Sequence, residues 1–147
     1  MSSLLLWGQA NPEAYEDSYK GVYLNKQDMT DMVQQVNQAK ASGSKIPVLI
    51  EHTGSPIGHV VSAWVDKANT LQCVLELSDK SLESAIGQQL IRDGVVKELS
   101  LGYLLDIKQT KNGFDASKKS LQEISIVKKG ARDFCRIKGV TSAIKKK

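Results

Sequence analysis

The 147-residue sequence has no long hydrophobic run. Its longest purely apolar stretch is Leu4–Trp7, which is far too short to cross a bilayer and which no basic segment precedes. We therefore expect neither a membrane span nor a signal peptide, and interpret Leu4–Trp7 as a first strand. Cysteine is scarce too. Cys73 and Cys135 are the only two, so a disulfide is the less favoured alternative to two reduced thiols in an intracellular protein.

Several catalytic and cofactor motifs are also missing. No G-x-S-x-G elbow is present, so an α/β-hydrolase is not indicated. The histidines, cysteines and acids do not occur at metal-ligand spacing, and there is no glycine-rich phosphate loop. The eleven glycines and three prolines are typical of turns. The sequence therefore predicts no cofactor and no metal.

Charge is distributed unevenly along the chain. Residues 107–147 contain 12 Lys and Arg against 3 acids, whereas residues 1–106 contain 8 against 13. The basic C-terminal third could contact nucleic acid or an acidic partner, or form an ordinary solvated surface. No aromatic residues interleave with it to suggest stacked bases. No repeat or linker divides the chain, so we expect one domain over residues 1–140 and a basic tail over residues 141–147.

Two segments have the periodicity of amphipathic helices. In Asp28–Ala39 the apolar face consists of Met29, Met32, Val33 and Val36. In Ser81–Asp93 it consists of Leu82, Ala85, Ile86 and Leu90. Ser81 is a candidate N-cap of the second helix, and Gly94 follows its last turn.

The remaining chain is rich in Val, Ile and Leu and predicts strands. These are Leu4–Trp7, Ile46–His52, His59–Asp66, Leu71–Leu77, Val95–Lys108, Leu121–Lys128 and Phe134–Val140. A hairpin turn is indicated at Ala68–Thr70, and Lys111-Asn112-Gly113 carries an Asn-Gly turn signal in a polar loop. Six or seven strands with two helices predict a mostly antiparallel barrel or sandwich with the helices packed outside.

The alternation of side chains along two of these strands places polar groups on one face. Along Lys97–Ile107 the odd positions from Leu99 onward are apolar, so Ser100 points away from the apolar side. In Leu121–Lys128, Glu123 and Ser125 point away from the apolar isoleucines. If the two strands are neighbours, Ser100 and Glu123 lie together on an outer surface.

Serine hydrolysis needs a hydroxyl beside a base, a group that orients the base, and donors for the oxyanion. The chain has only two histidines, His52 and His59, which narrows the choice of base sharply. Because it has many serines, the composition does not indicate which serine would be the nucleophile. Taken singly, His52 is more simply interpreted as a strand-end histidine satisfied by hydrogen bonds, and Glu123 as a solvated strand acid.

Three blocks in order carry a resemblance: IPVLIEHTGSPIGHVVSAWVD, VVKELSLGYLLDIK and LQEISIVKKGARDFCRI. Together they resemble the capsid maturation proteases, that is, the herpesvirus assemblins and the prohead proteases of tailed phages, over about residues 4–137. The resemblance implies that His52 is the catalytic base and His59 a structural histidine. It implies that Ser100, within a Leu-Ser-Leu strand, is the nucleophile.

The third block departs from the assemblins, in which another histidine completes the triad. Here the matching residue is Glu123, which is similar to the phage branch. A carboxylate suits this role because it can accept the His52 Nδ1 proton and favour the imidazolium. The following Lys129–Arg132 segment matches the oxyanion turn of the family. The resemblance therefore implies oxyanion donors at the Ala131 amide and the Arg132 side chain.

The resemblance implies a closed, mostly antiparallel barrel of six or seven strands with at least two outer helices. It implies a viral serine endopeptidase that cuts the capsid scaffold protein, and itself, during procapsid maturation. The major capsid protein would be an indirect partner, self-association is open, and neither nucleic acid nor membrane is expected as a partner. The location would be the procapsid interior, in the host cytoplasm or nucleus.

Two alternatives remain at this stage. The first is a non-catalytic barrel module that binds scaffold or nucleic acid through its basic C-terminal third, with salt-sensitive affinity. The second is Cys135 as nucleophile, in a basic neighbourhood that would favour the thiolate. A structure discriminates between the serine protease and these two alternatives, because a serine protease needs the Ser100 hydroxyl about 3 Å from a ring nitrogen of His52.

Overall fold

The computed structural model describes residues 2–12, 18–19, 22–78, 81–130 and 135–144. Within these residues the chain forms nine strands and two helices. In chain order they are β1 (Ser2–Asn11), β2 (Ser18–Tyr19), β3 (Val22–Tyr23), α1 (Lys26–Ala41), β4 (Pro47–Ile50), β5 (Thr53–Val65), β6 (Leu71–Leu77), α2 (Leu82–Arg92), β7 (Glu98–Thr110), β8 (Gly113–Val127) and β9 (Arg136–Ile144).

Seven strands close into a barrel in the order β1-β6-β5-β4-β8-β7-β9, with β9 returning to β1, and β2 and β3 form a separate two-stranded sheet. The barrel pairings are antiparallel except one. β4 runs parallel to β8, with Val48 opposite Ile124 and Ile50 opposite Ile126. The prediction of a closed, mostly antiparallel barrel with outer helices is confirmed.

Several strands differ in extent from the predicted ones. β4 ends at Ile50, so His52 lies in a turn rather than in a strand. β5 begins at Thr53, and the polar residues expected to form a loop before His59 are part of it. Of these residues, Thr53 to Pro56 are exposed at the end of the β4–β5 hairpin, whereas Ile57 is buried. Periodicity of apolar residues therefore could not detect them.

β9 also continues beyond the predicted end at Val140. Its pairing with β1 extends from Arg136, opposite Gln9, to Ile144, opposite Ser2. Residues 141–144, which the sequence predicts as part of the basic tail, thus belong to the barrel wall. Residues 145–147 lie outside the described part of the chain.

The barrel interior and the helix contacts form one apolar core. Its most completely buried large side chains are Leu6, Leu24, Met29, Met32, Ile57, Leu71, Leu75, Leu77, Leu99, Ile124, Ile126 and Val36. Cys73 and Cys135 are buried and form no disulfide. Each fully buried aliphatic side chain contributes roughly 1.5–3 kcal/mol to folding, which makes this core the main source of stability.

Helix α1 has the predicted apolar face against the barrel. Met29, Met32 and Val36 are buried, and the helix packs over β5 and β8. Its start is a capping box, in which the Asn25 side chain accepts from the Asp28 amide and the Asp28 carboxylate accepts from the Asn25 amide.

The predicted apolar face of helix α2 is wrong for three of its four residues, and only Leu90 packs against the core. The structure buries Ser84, Gly87 and Gln88 and leaves Leu82 and Ile86 exposed by 74% and 49%. The reason is a close approach at Gly87, where an added Cβ would lie 2.9 Å from Ile57 Cδ1. The Ser84 hydroxyl and the Gln88 amide also donate to the carbonyl of Ser78. Serine 81 is the N-cap, as predicted.

Candidate active site

The β7–β8 hairpin brings two of the predicted site residues onto one face. β7 and β8 are neighbours, with Ser100 opposite Ser125 and Gly102 opposite Glu123. Side chains of directly opposed residues on adjacent strands share a face and lie about 5 Å apart. The adjacency that the sequence argument required is therefore present.

The third predicted residue reaches this face through a tight turn. Glu51 and His52 join β4 to β5, with Ile50 paired to Thr53 across them. Both have left-handed backbone conformations, with φ of 52° and 61°, as a two-residue hairpin of the type I′ kind requires. For residues with side chains this conformation costs roughly 1–2 kcal/mol each. The parallel pairing of β4 with β8 places this turn beside Ser125.

The three side chains form a continuous chain of hydrogen bonds. His52 Nε2 lies 2.9 Å from Ser100 Oγ. His52 Nδ1 lies 2.7 Å from Glu123 Oε1 and 2.9 Å from Oε2. These are distances of well-formed hydrogen bonds. The structure thus brings Ser100 and Glu123 to His52, from which they are 48 and 71 positions away in the sequence.

The hydrogen-bond partners of the His52 ring determine which of its two nitrogens carries the proton in the neutral form. A carboxylate accepts only, so Nδ1 carries the proton and donates it to Glu123. The lone pair of Nε2 is then directed at Ser100 and accepts a hydrogen bond from its hydroxyl. In this arrangement the imidazole can take a proton from the hydroxyl, and the carboxylate stabilises the cation that results.

Burial differs across the site. Ser100 and Glu123 are only 5% and 7% exposed, whereas the His52 side chain is 44% exposed. The prediction of an open outer surface is therefore only partly right, because the His52 turn covers the two strands. Shielding strengthens the electrostatic interaction between Glu123 and the ring relative to the same pair in water.

Ser125 is a fourth member of the site, and side-chain alternation predicts it on this face without indicating a role. Its hydroxyl accepts from the His52 backbone amide at 3.0 Å and donates to Glu123 Oε2 at 2.9 Å. The side chain is completely buried. Ser125 therefore links the backbone of the turn to the carboxylate that orients the ring. The signal in the sequence is its position two residues after Glu123, which places the two side chains on the same face of the strand.

Gly102 makes room for the carboxylate. An added Cβ at this position would lie 2.6 Å from Glu123 Cδ and 2.7 Å from Oε1. Any larger residue opposite Glu123 would displace the acid from His52.

The segment after β8 is held by two acids that neighbour the triad in sequence. Glu51 Oε1 accepts from the Lys128 amide at 2.6 Å, and Glu98 Oε1 accepts from the Gly130 amide at 2.7 Å. Ala131 and Arg132, the predicted oxyanion donors, lie outside the described residues. The contacts of Glu51 and Glu98 were not anticipated, because both acids have the sequence context of solvated strand ends.

The two remaining candidates are His59 and Cys135, of which Cys135 is buried. His59 is on β5, opposite Pro47 and Glu76, and lines a hollow of about 260 Å³ that includes Lys40 and Lys45. Partial burial lowers the pKa of His59, and Lys45 lowers it further. Burial raises the pKa of the Cys73 thiol to about 12.

The described residues contain no cluster of three or more His, Cys, Asp or Glu that could hold a metal ion. Among the same residues, no helix is long and apolar enough to span a membrane. Compared with protein-family models and with curated proteins, the chain matches none.

Proposed function

We propose that this protein is a serine endopeptidase in which Ser100 is the nucleophile, His52 the general base and then acid, and Glu123 the residue that orients His52. The observation that carries the proposal is the unbroken hydrogen-bonded chain from the Ser100 hydroxyl through both ring nitrogens of His52 to the buried carboxylate. The backbone contact from Ser125 to His52 supports it, because it restricts where the ring can lie.

The reaction follows from the order of these contacts. Ser100 Oγ attacks the peptide carbonyl while its proton passes to His52 Nε2, and the imidazolium remains hydrogen-bonded to Glu123. His52 then gives that proton to the leaving amine, which yields an acyl-enzyme and a free N-terminus. Water, deprotonated by His52, hydrolyses the ester and restores the serine. The Ala131 amide and the Arg132 side chain remain the predicted oxyanion donors.

We further propose the scaffold protein of an immature viral capsid as the substrate, with self-cleavage and the procapsid interior as the setting. The support is the resemblance of the three sequence blocks to capsid maturation proteases, in the same order along the chain. Incubation with the scaffold encoded by the same virus, followed by mass spectrometry of the products, tests this part separately from the chemistry.

A fluorophosphonate probe tests the chemistry. We expect a covalent adduct on Ser100, no adduct in Ser100→Ala, and a labelling rate roughly 10²–10⁴-fold lower in His52→Ala because the base is lost. Ser62→Ala, on β5, is the matched control and should label as the wild type does. An adduct on another residue, or peptide cleavage by Ser100→Ala, would refute the assignment.

The alternative of a non-catalytic binding module makes the opposite prediction. It requires no labelling and a salt-sensitive affinity carried by the basic C-terminal third. One of those cations is withdrawn from the surface, since Lys119 Nζ lies 3.0 Å from Asp28 Oδ2 in a buried ion pair. Absence of an adduct combined with salt-sensitive scaffold or nucleic-acid binding would favour this alternative.

A further inference from the structure

The hollow of about 260 Å³ beside His59 lies between the end of α1 and strand β5. Three nitrogen-bearing side chains line it, those of Lys40, Lys45 and His59. The rest of its lining consists of Gly43, Ser44, Val60 and Val61, so no acid is among the described lining residues. None of these residues takes part in the hydrogen-bonded chain of the triad.

The segment between α1 and β4 holds these side chains together. The Gly43 amide donates to a carbonyl in the last turn of α1 at 3.2 Å, and its φ of 80° is the left-handed conformation that ends a helix. The Ile46 carbonyl accepts from the Val60 amide of β5 at 2.8 Å. Because the segment is fastened to the helix at one end and to β5 at the other, Lys45 is held beside the strand that carries His59.

The positive charge of the hollow is not neutralised by a salt bridge. Within the described part of the chain, neither Lys40 nor Lys45 forms an ion pair with a carboxylate. Partial burial lowers the pKa of His59, and the charges of Lys45 and Lys40 lower it further, so the lysines and the ring are close enough to interact. Glu76, opposite His59 on β6, acts in the other direction.

We propose that this hollow binds a doubly charged tetrahedral oxyanion, either free phosphate or the phosphoryl group of a small ester. Such a group presents three or more strong acceptor oxygens, which match two ammonium groups, an imidazolium and the Ser44 hydroxyl. A carboxylate has one charge and two oxygens and would leave donors unpaired. Sites for drug-sized ligands measure about 300–1,000 Å³, so this smaller hollow suits a small anion.

Binding should strengthen as pH falls through the pKa of His59. In the absence of an anion, burial and the two lysines favour the neutral ring, whereas a bound dianion favours the imidazolium. Protonation of His59 therefore adds a third cation to the site. Sulfate is the probe for this measurement because it stays doubly charged, whereas a phosphate ester itself takes up a proton near about pH 6.

Nuclear magnetic resonance titration of the wild-type chain with sulfate, at constant ionic strength, measures the affinity. The amide signals of Ser44 and Lys45 and the ring signals of His59 should shift together and give one Kd. That Kd should be about two- to fivefold lower at pH 5 than at pH 8, as expected for one more exposed cation. His52, the only other histidine, is the internal reference, and its ring signals should not respond to sulfate.

Variants connect this affinity to the hollow. In Lys45→Gln and His59→Gln sulfate should bind about two- to fivefold more weakly at pH 5, and in His59→Gln the pH dependence should disappear. Lys67→Gln, an equal charge change at an exposed lysine in the β5–β6 turn, is the control and should leave the Kd unchanged. Glu76→Gln should strengthen binding about two- to fivefold, because it removes the acid opposite His59. A damaged fold would not produce this gain in affinity.

Two further titrations at pH 8 identify the anion. Phosphate and glycerol phosphate should both compete with sulfate, whereas acetate should bind about fivefold more weakly because it carries one charge fewer. Tighter binding of glycerol phosphate assigns the site to an ester, and equal or weaker binding assigns it to free phosphate.

Three results would overturn the proposal. The first is a titration in which the signals of the hollow do not shift. The second is a Kd that changes equally in Lys45→Gln and Lys67→Gln, which would indicate an effect of net charge alone. The third is acetate binding as tightly as sulfate. The measurement does not involve Ser100, so its outcome is independent of the proposed peptidase activity.

Discussion

At the scale of single residues, the proposed catalytic site includes a buried side chain that lies outside the triad. Ser125 is fully buried and joins the His52 amide to the Glu123 carboxylate. Without it the carboxylate would lose a donor, and the strained turn would lose a contact that holds its backbone. Its contribution should therefore appear in the catalytic step rather than in substrate binding.

Ser125→Ala should lower kcat roughly ten- to a hundredfold while KM stays nearly constant, because a hydrogen bond to a charged group is worth about 1.5–3 kcal/mol. Steady-state kinetics on a cleaved peptide measure both constants. Ser84→Ala, which changes another fully buried serine, is the control and should affect stability without changing kcat of the folded protein. A higher KM at unchanged kcat in Ser125→Ala would contradict the positioning role.

At the scale of secondary structure elements, helix α2 shows where apolar periodicity misleads. Leu82 and Ile86 have helical spacing but face solvent, whereas Gly87 faces the barrel. The face is determined by how closely the helix backbone approaches β5 and by the polar contacts with Ser78. Neither quantity can be read from hydrophobicity along the sequence.

The variant Gly87→Ala tests this orientation of α2 through the sign of its effect on the free energy of unfolding. In an exposed helix interior the change would stabilise by about 1 kcal/mol. Here the new Cβ meets Ile57 Cδ1 at 2.9 Å and Ile50 Cδ1 at 3.4 Å, and overpacking costs about 1–3 kcal/mol. We expect urea unfolding to show net destabilisation by about 1 kcal/mol.

Ile86→Ala on the opposite face is the companion measurement. Because Ile86 is half exposed, we expect its loss to cost less than about 1 kcal/mol, well below the 2–5 kcal/mol typical of a core isoleucine. If Ile86→Ala is the more destabilising of the two variants, the orientation of α2 described above is incorrect.

The strands show a different division between what sequence can and cannot predict. Leu71–Leu77 was predicted with its observed limits because an apolar run between turns is a complete local signal. The common face of Ser100 and Glu123 also followed from alternation. The His52 turn did not, since its position depends on the parallel pairing of β4 with β8, which no local pattern encodes. The choice of His52 itself came from the family resemblance.

At the scale of the whole molecule, stability should depend on a thiol in the core. Burial raises the pKa of Cys73 to about 12, with a smaller contribution from Cys135, against an ordinary value of 9.0. The folded state thus keeps a proton that the unfolded chain releases as pH rises above 9. The stabilisation by the neutral thiol is complete below that pH and is lost progressively towards pH 12.

Between pH 8 and pH 10 the free energy of unfolding should fall by about 1 kcal/mol more in the wild type than in Cys73→Ala. Chemical denaturation at several pH values measures this difference in slope, which is independent of the cavity that the substitution creates. Parallel pH profiles of the two proteins would show that the Cys73 thiol ionises equally in both states.

The barrel is closed by the pairing of its first strand, β1, with its last strand, β9. The proposed triad joins residues that are far apart in the sequence, since His52 contacts Glu123. Ser100 and His52 are synthesised before Glu123, and β9, which seals the wall against β1, comes last. A ribosome-bound chain that has not yet exposed residue 123 has the hydroxyl and the imidazole but no acid to orient them. The order of synthesis therefore means that the proposed triad is complete only after residue 123 has left the ribosome.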